Sequence, residues 1–323
     1  MKRKVIIDCD PGIDDALALI LAISSPEIDI LGITIVSGNV NGKKGEENAK
    51  KVLKLMGRED IKVYIGEELP LVRELITAED THGMDGLGES NYEKVEGEIL
   101  YGGVDFILEK AKSEDVSIIA LGPLTNLATA LNRDEKTFNK IKEIVSMGGA
   151  FKSHGNCSQV AEFNYWVDPH AVKEVFDKSK VKFTMVGLDV TREIVLTPNY
   201  IELIKQIGGE VAEFIVKITK FYVDFHWMQE RTLGCVINDP LAVAYFIDNS
   251  FCTGVTSYLD IVTEGVAIGQ TLVDIGDFYR KPHNGLVLTE VDSKRFIRFF
   301  LGRILKDNIN DIEKVLNNNK YGL

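Results

Sequence analysis

The sequence predicts an α/β fold, an open and mostly parallel Rossmann-like sheet flanked by helices. Three observations carry this. Short apolar runs without polar alternation, Val5-Ile6-Ile7 first among them, suit strands buried on both faces, as parallel strands are. Helical patterns alternate with these runs. Leu17, Leu19, Ile20 and Leu21 with their interleaved alanines read as a largely buried helix after the first strand. The joints carry turn residues, Pro11-Gly12 after the first strand and Gly122-Pro123 after a later one. Such alternation requires crossover connections, hence parallel strands.

In order along the chain, residues 28 to 36 form the second strand, which ends in Ser37, Gly38 and Asn39. Functional groups of open α/β sheets collect beyond the carboxyl ends of strands, so Asn39 is placed to meet the first turn, although alone it would read as a turn residue. The following GKKGEE lacks the glycine spacing and hydroxyl of a phosphate-binding loop. Residues 46 to 56 read as a helix and 61 to 66 as the third strand. Residues 67 to 102 form a long loop rich in Gly and Glu, and loops of that length in a compact domain are more often functional than idle. His82 lies within it. Strand, Gly-Pro turn and helix recur over 117 to 131, and 143 to 150 is a strand running into glycines that let a ligand approach the backbone. Asn156, Glu162 and Asn164 share the next loop, before a helix opened by Asp168 as N-cap and Pro169 at its first position.

A further strand spans 182 to 191, leaving Asp189 structural or supportive of a site. Residues 198 to 232 are helical with a break at Gly208-Gly209. The aromatics Phe221, Tyr222, Phe225, His226 and Trp227 on that helix suit core or subunit interface, or a flat ligand. Asp239 opens another helix, as cap or as metal ligand. Beyond 255, three strands cover one sheet edge and an amphipathic helix closes the pattern. No repeat, low-complexity tract or linker interrupts the chain, so a single domain over residues 1–323 is expected.

Composition narrows the partners. With 37 Lys plus Arg against 49 Asp plus Glu, the net charge of −12 disfavours a nucleic-acid backbone. No run approaches the ~18 consecutive apolar residues of a membrane span, and the N-terminal apolar run is too short for a secretory signal. Cys9, Cys157, Cys235 and Cys252 show neither a disulfide framework nor metal spacing. A cytoplasmic protein with free thiols, no nucleic-acid or membrane partner and a small uncharged substrate is expected.

The most informative stretch is the first turn, where Asp8, Asp10, Asp14 and Asp15 fall within eight residues. Two like charges about 4 Å apart repel by roughly 4 kcal/mol at an effective dielectric near 20. No Lys or Arg lies between Lys4 and Lys43 to offset that. A bound hard cation, calcium or magnesium, is the natural solution. Capping of the helix by Asp14 or Asp15 explains one carboxylate and leaves Asp8 and Asp10 unexplained.

DCDPGIDDALAL resembles the N-terminal motif of the inosine-uridine-preferring nucleoside hydrolases, metal-dependent enzymes that cleave the N-glycosidic bond of ribonucleosides. SGN at 37 to 39, HGMDGLG at 82 to 88, LGPLTNLA at 121 to 128, MGGAF at 147 to 151, GN at 155 to 156, AEFN at 161 to 164 and NDPLAVA at 238 to 244 follow in the family's order. The resemblance implies the nucleoside hydrolase fold, a role in purine and pyrimidine salvage, and a homodimer or homotetramer. It implies calcium held by Asp10, Asp15, Asp239 and the main-chain carbonyl of Leu121, with Asp8 in support and Asp10 as general base for a metal-bound water. Asp14, Asn39, Asn156, Glu162 and Asn164 would hold the ribose, Met147 would line the sugar pocket, and His82 would act near the base or the 5′ end. One departure stands out. Many members place a histidine, associated with protonating the leaving base, where this chain has Asn238.

Loss of a nucleobase leaves an oxocarbenium-like ribose, so the acidic cluster suits the charge that develops at C1′. Two rival readings share parts of the motif. Haloacid-dehalogenase-like magnesium phosphatases also place DxD after an apolar strand, yet Pro11-Gly12 departs from their continuation and Gly276-Asp277 is followed by Lys281, not a second acidic residue. A catalytically silent nucleoside- or ribose-binding protein fits Asn238 and conflicts with an intact Asp10.

Overall fold

The computed structural model describes residues 2–318. The first strand, β1 (Arg3–Cys9), is central and buried from Val5 onward. It pairs in parallel with β2 (Ile28–Ile35) on one side and β5 (Val116–Ala120) on the other, with Cys9 opposite Ile35 and Asp8 opposite Ala120. β3 (Val63–Ile65) and the two-residue β4 (Leu100–Tyr101) extend the sheet beyond β2, while β6 (Glu143–Met147) and β7 (Lys182–Val186) extend it beyond β5. The strand Gly285–Val291 joins parallel to β7, and Cys252–Ser257 forms the antiparallel edge of a nine-stranded sheet.

Chain order therefore reverses between β1 and β5. That gap is the topological switch point, where an open α/β sheet presents a crevice at its carboxyl edge. Side-chain alternation along β1 feeds two cores. Val5, Ile7 and Cys9 pack with helix α1 (Ile13–Ile23), while Ile6 packs with the helix Thr125–Arg133 on the other face. Every residue from Ile13 to Ala22 is buried, because α1 is enclosed by neighbouring helices and the sheet.

Several boundaries differ from those the sequence predicts. Helix α2 (Gly42–Leu55) starts four residues before Glu46, because Asn41 caps it by accepting the Lys44 N–H at 3.0 Å. The strand expected to run to 191 stops at Val186, and Leu188–Thr191 is a helical turn, so Asp189 leaves the sheet. Its carboxylate accepts the N–H groups of Phe151, Lys152 and Ser153, which makes it a clasp on the loop after β6. The expected 156-to-164 loop contains a short helix, Phe163–Val167, too brief for periodicity to reveal. Of the three strands expected at one edge only Gly285–Val291 enters the main sheet; Leu259–Ile261 and Thr271–Val273 form a separate hairpin. The true edge, Cys252–Ser257, is polar and largely solvent-facing, and so lacks an apolar signal. The amphipathic Ser293–Ile304 is followed by another helix, Ile309–Leu316.

Candidate active site

One cavity lies over the β1/β5 switch point. Its walls carry Asp14, Asn39, His82, Leu121, Met147, Asn156, Glu162, Asn164, Asn238 and Asp239, residues far apart in the chain. Asp10 and Asp15 lie behind them with no exposed surface.

The chain builds this acidic floor with close backbone approach. Asp10 Oδ2 accepts the Asn39 N–H at 2.7 Å, whereas buried Oδ1 has no partner among the described residues. Gly38 and Gly122 press against the two oxygens. A Cβ on Gly38 would fall 2.1 Å from Oδ2, and one on Gly122 2.6 Å from Oδ1. Asp15 Oδ2 accepts the Gly12 N–H at 2.9 Å and Asn39 Nδ2 at 3.0 Å, while Oδ1 accepts the Asp10 N–H at 3.3 Å. Asp15 thus caps α1 and also faces the cluster, so the two readings of that residue hold together. Carboxylate oxygens of Asp14, Asp15 and Asp239 lie within 4.8 Å of one another.

Electrostatics follow from burial. Asp10 and Asp239 are pushed well above the ordinary carboxylate range by burial first, then by Asp15 for the former and Asp14 for the latter. Asp15 is raised by burial and by Asp14. Ion pairs among the described residues, Arg192–Glu230 at 2.7 Å being the one on the cavity wall, reach none of these carboxylates. The orphaned Asp10 oxygen, the glycine cradle and the all-oxygen donor set fit a hard metal ion, which this buried acidic cluster could bind. Behind the floor, Asp8 accepts from Thr34 and from Asn126 Nδ2 at 2.7 Å, and burial pushes its carboxyl up to about 7.

The other expected site residues are placed as follows. Leu121 O accepts Asn164 Nδ2 at 2.7 Å, which leaves one carbonyl lone pair free. Asn164 Nδ2 also lies 3.2 Å from Met147 O, so it ties the ends of β5 and β6 together. Glu162 caps its short helix, accepting the N–H groups of Asn164, Tyr165 and Gly149, and burial raises it to about 7 against those three bonds. Asn156 is exposed at the mouth, its Oδ1 bound to the Phe163 N–H at 3.0 Å. His82 sits in a helical turn, Glu79–His82, inside the long loop; its Nδ1 accepts the Ile13 N–H at 3.1 Å, and burial holds its pKa down. Asn238 precedes the helix Asp239–Ile247 without capping it; its Nδ2 donates to Asp14 Oδ2 at 3.0 Å. Asp168 is the expected N-cap, accepting the Ala171 N–H at 3.0 Å.

The aromatic run divides. Tyr222, Phe225 and His226 line the cavity, and Trp227, 46% exposed, does not. Their i, i+3, i+4 spacing on the helix Glu210–Glu230 was the available signal, but aromatic content alone concealed the hydrogen bonds. Arg192, Gln229 and Glu230 also line the cavity and had no sequence signal. The Gly276–Lys281 segment, weighed above against the second phosphatase motif, does not line it.

The inosine-uridine preferring nucleoside hydrolase family model matches residues 5–298. The chain is 37% identical over 290 residues to the inosine-uridine preferring nucleoside hydrolase of Leishmania major, covering 88% of this chain and 91% of that protein. It is 36% identical to the pyrimidine-specific ribonucleoside hydrolase RihA of Photobacterium profundum, covering 94% and 99% of the two chains. The solved plant nucleoside hydrolase PpNRh1 superposes with a TM-score of 0.90 at 30% identity, over 94% of this chain and 99% of that one. With the acidic floor seated at the switch point of this fold, the protein belongs to the inosine-uridine preferring nucleoside hydrolase family and is a ribonucleoside hydrolase.

Proposed function

We propose that the cavity hydrolyses ribonucleosides to ribose and free base with calcium held by Asp10, Asp15, Asp239 and the Leu121 carbonyl. The observation that carries this is the buried Asp10 Oδ1, beside the charges of Asp15 and Asp14, with neither a hydrogen-bond partner nor a neutralising cation among the described residues. When bound, the ion supplies positive charge to the cluster and acidifies water. Asp10 takes the proton of the attacking water at its free oxygen. Asp14, Asn39, Asn156, Glu162 and Asn164 hold the ribose hydroxyls, and Met147 packs against the sugar. The carboxylate field stabilises positive charge at C1′ as the bond to the base breaks. The base rests on Tyr222, Phe225 and His226, and His82, neutral and bearing its proton on Nε2, faces it as a donor.

The proposal extends to a cytoplasmic homodimer or homotetramer, which light scattering would size. The four cysteines are free, three of them buried, in keeping with a reducing compartment. A reducing-sugar assay over uridine, cytidine, inosine, guanosine and adenosine tests the reaction. Sugar release should stop on chelation and return with calcium. Activity indifferent to chelation, or nucleoside binding without turnover, contradicts the proposal.

A further inference from the structure

Two imidazoles flank the Tyr222 ring, His82 with its centroid 5.3 Å away and His226 edge-on at 4.4 Å. Their surroundings fix opposite tautomers. A backbone N–H can only donate, so His82 Nδ1, which faces the Ile13 N–H, carries a lone pair and Nε2 the hydrogen. A carbonyl can only accept, so His226 Nδ1, 2.8 Å from Tyr222 O, carries the hydrogen and leaves its lone pair on Nε2. No hydrogen bond from another described residue engages that nitrogen.

Asn238 has a fixed orientation too. Its Nδ2 donates to Asp14 Oδ2, and a flipped amide would set oxygen against the carboxylate. The remaining atom, Oδ1, is buried with no partner among the described residues, on a residue 8% exposed. Both residues line the cavity. Asn238 Oδ1 is costly to bury unless a ligand supplies a hydrogen, and the His226 Nε2 lone pair, on the same cavity wall, is open to one as well.

We propose that His226 Nε2 and Asn238 Oδ1 select the leaving base, accepting from a ring N–H of the imide or lactam kind that uracil and hypoxanthine carry. Asn238 is then a specificity-determining residue and not a proton donor, since a neutral amide is no acid. This inference rests on the ribonucleoside reading of the cavity.

The test uses uridine against 3-methyluridine and inosine against 1-methylinosine, pairs that differ in that N–H. For whichever parent has the higher kcat/KM, methylation should lower kcat/KM at least tenfold in the native enzyme. His226→Phe keeps a ring against Tyr222 and deletes the acceptor. It should lower the parent's kcat/KM by a clearly larger factor than the methylated substrate's, and so shrink the ratio. His226→Gln, which restores an acceptor oxygen, should regain part of it. Calorimetric Kd ratios for the same pairs give this readout independently of turnover, so a failure of hydrolysis would count against the ribonucleoside-hydrolysis reading alone. Equal use of parent and methylated nucleoside by the native enzyme overturns the inference. So does a His226→Phe variant in which both substrates fall together, or in which the ratio stays intact as a purely steric effect would leave it.

Discussion

Tyr222 donates its hydroxyl hydrogen to Asp14 Oδ2 at 3.1 Å across 208 positions of sequence, and the same oxygen accepts Asn238 Nδ2. Burial, and then the Asp14 charge, push the phenol well above its ordinary range, so it remains a donor at any working pH. The Asn238 backbone N–H reaches this oxygen too, at 3.4 Å, so three donors fix the orientation of Asp14. Tyr222→Phe removes one donor and keeps the ring. A net hydrogen bond is worth about 1 kcal/mol, somewhat more to a charged acceptor, so kcat/KM should fall roughly tenfold while Tm moves by a few degrees. Steady-state kinetics with a thermal melt check both; an unchanged kcat/KM contradicts the positioning role.

Asp10→Asn tests the floor. The shape is retained, and an amide oxygen can still accept the Asn39 N–H, but the basic oxygen and its charge are gone. General-base loss of this kind costs about 10²- to 10⁴-fold, so kcat should fall within that range. Calcium affinity, measured by calorimetry, should weaken in the same variant. Native-like turnover in Asp10→Asn would remove Asp10 as the base.

Much of this arrangement was legible because parallel strands and turn chemistry are local. The apolar run of β1, the Pro11-Gly12 turn and the acidic opening of α1 place the cluster at a strand end, and the switch point follows from strand order. What escaped depended on distant partners. Asn126 lies in the first turn of the helix Thr125–Arg133 with no local sign of its role, and its Nδ2 binds Asp8 and the Ile35 carbonyl while its Oδ1 accepts the Glu67 N–H at 2.6 Å. The hydrogen bonds of Tyr222 and His226 escaped for the same reason, and Glu162 as a helix cap was hidden because its helix is only five residues long.

The ribose contacts proposed above predict sharp discrimination against 2′-deoxyribonucleosides. Asp14, Asn39, Glu162 and Asn164 are buried in the cavity wall, so a missing hydroxyl leaves polar groups there without a partner. Sites built to bond a hydroxyl reject the analogue lacking it by large factors, and at least about 10² in kcat/KM is expected between uridine and deoxyuridine. Equal rates in a coupled base-release assay would place the sugar elsewhere.

The raised carboxylates make the metal-free protein sensitive to alkali. Asp8 and Glu162 titrate near 7 when folded, from ordinary values of 3.8 and 4.5, and Asp10 and Asp239 are raised as well. Between about pH 4 and pH 7 the folded state holds protons that the unfolded chain has released. Their stabilising contribution is therefore complete below that window and disappears as pH rises through it. His82 and His226 act the other way: burial lowers both, so they cost stability as pH falls below about 6.5. Carboxylates with raised values outnumber these histidines, so the metal-free Tm should decline from about pH 5 to about pH 8. Calcium requires the ionised carboxylates, so its binding competes with protons at low pH and relieves repulsion at high pH. The rise in Tm on adding calcium should be small near pH 5 and grow toward pH 8 in scanning calorimetry. An equal rise at both ends would mean that calcium binds away from these carboxylates.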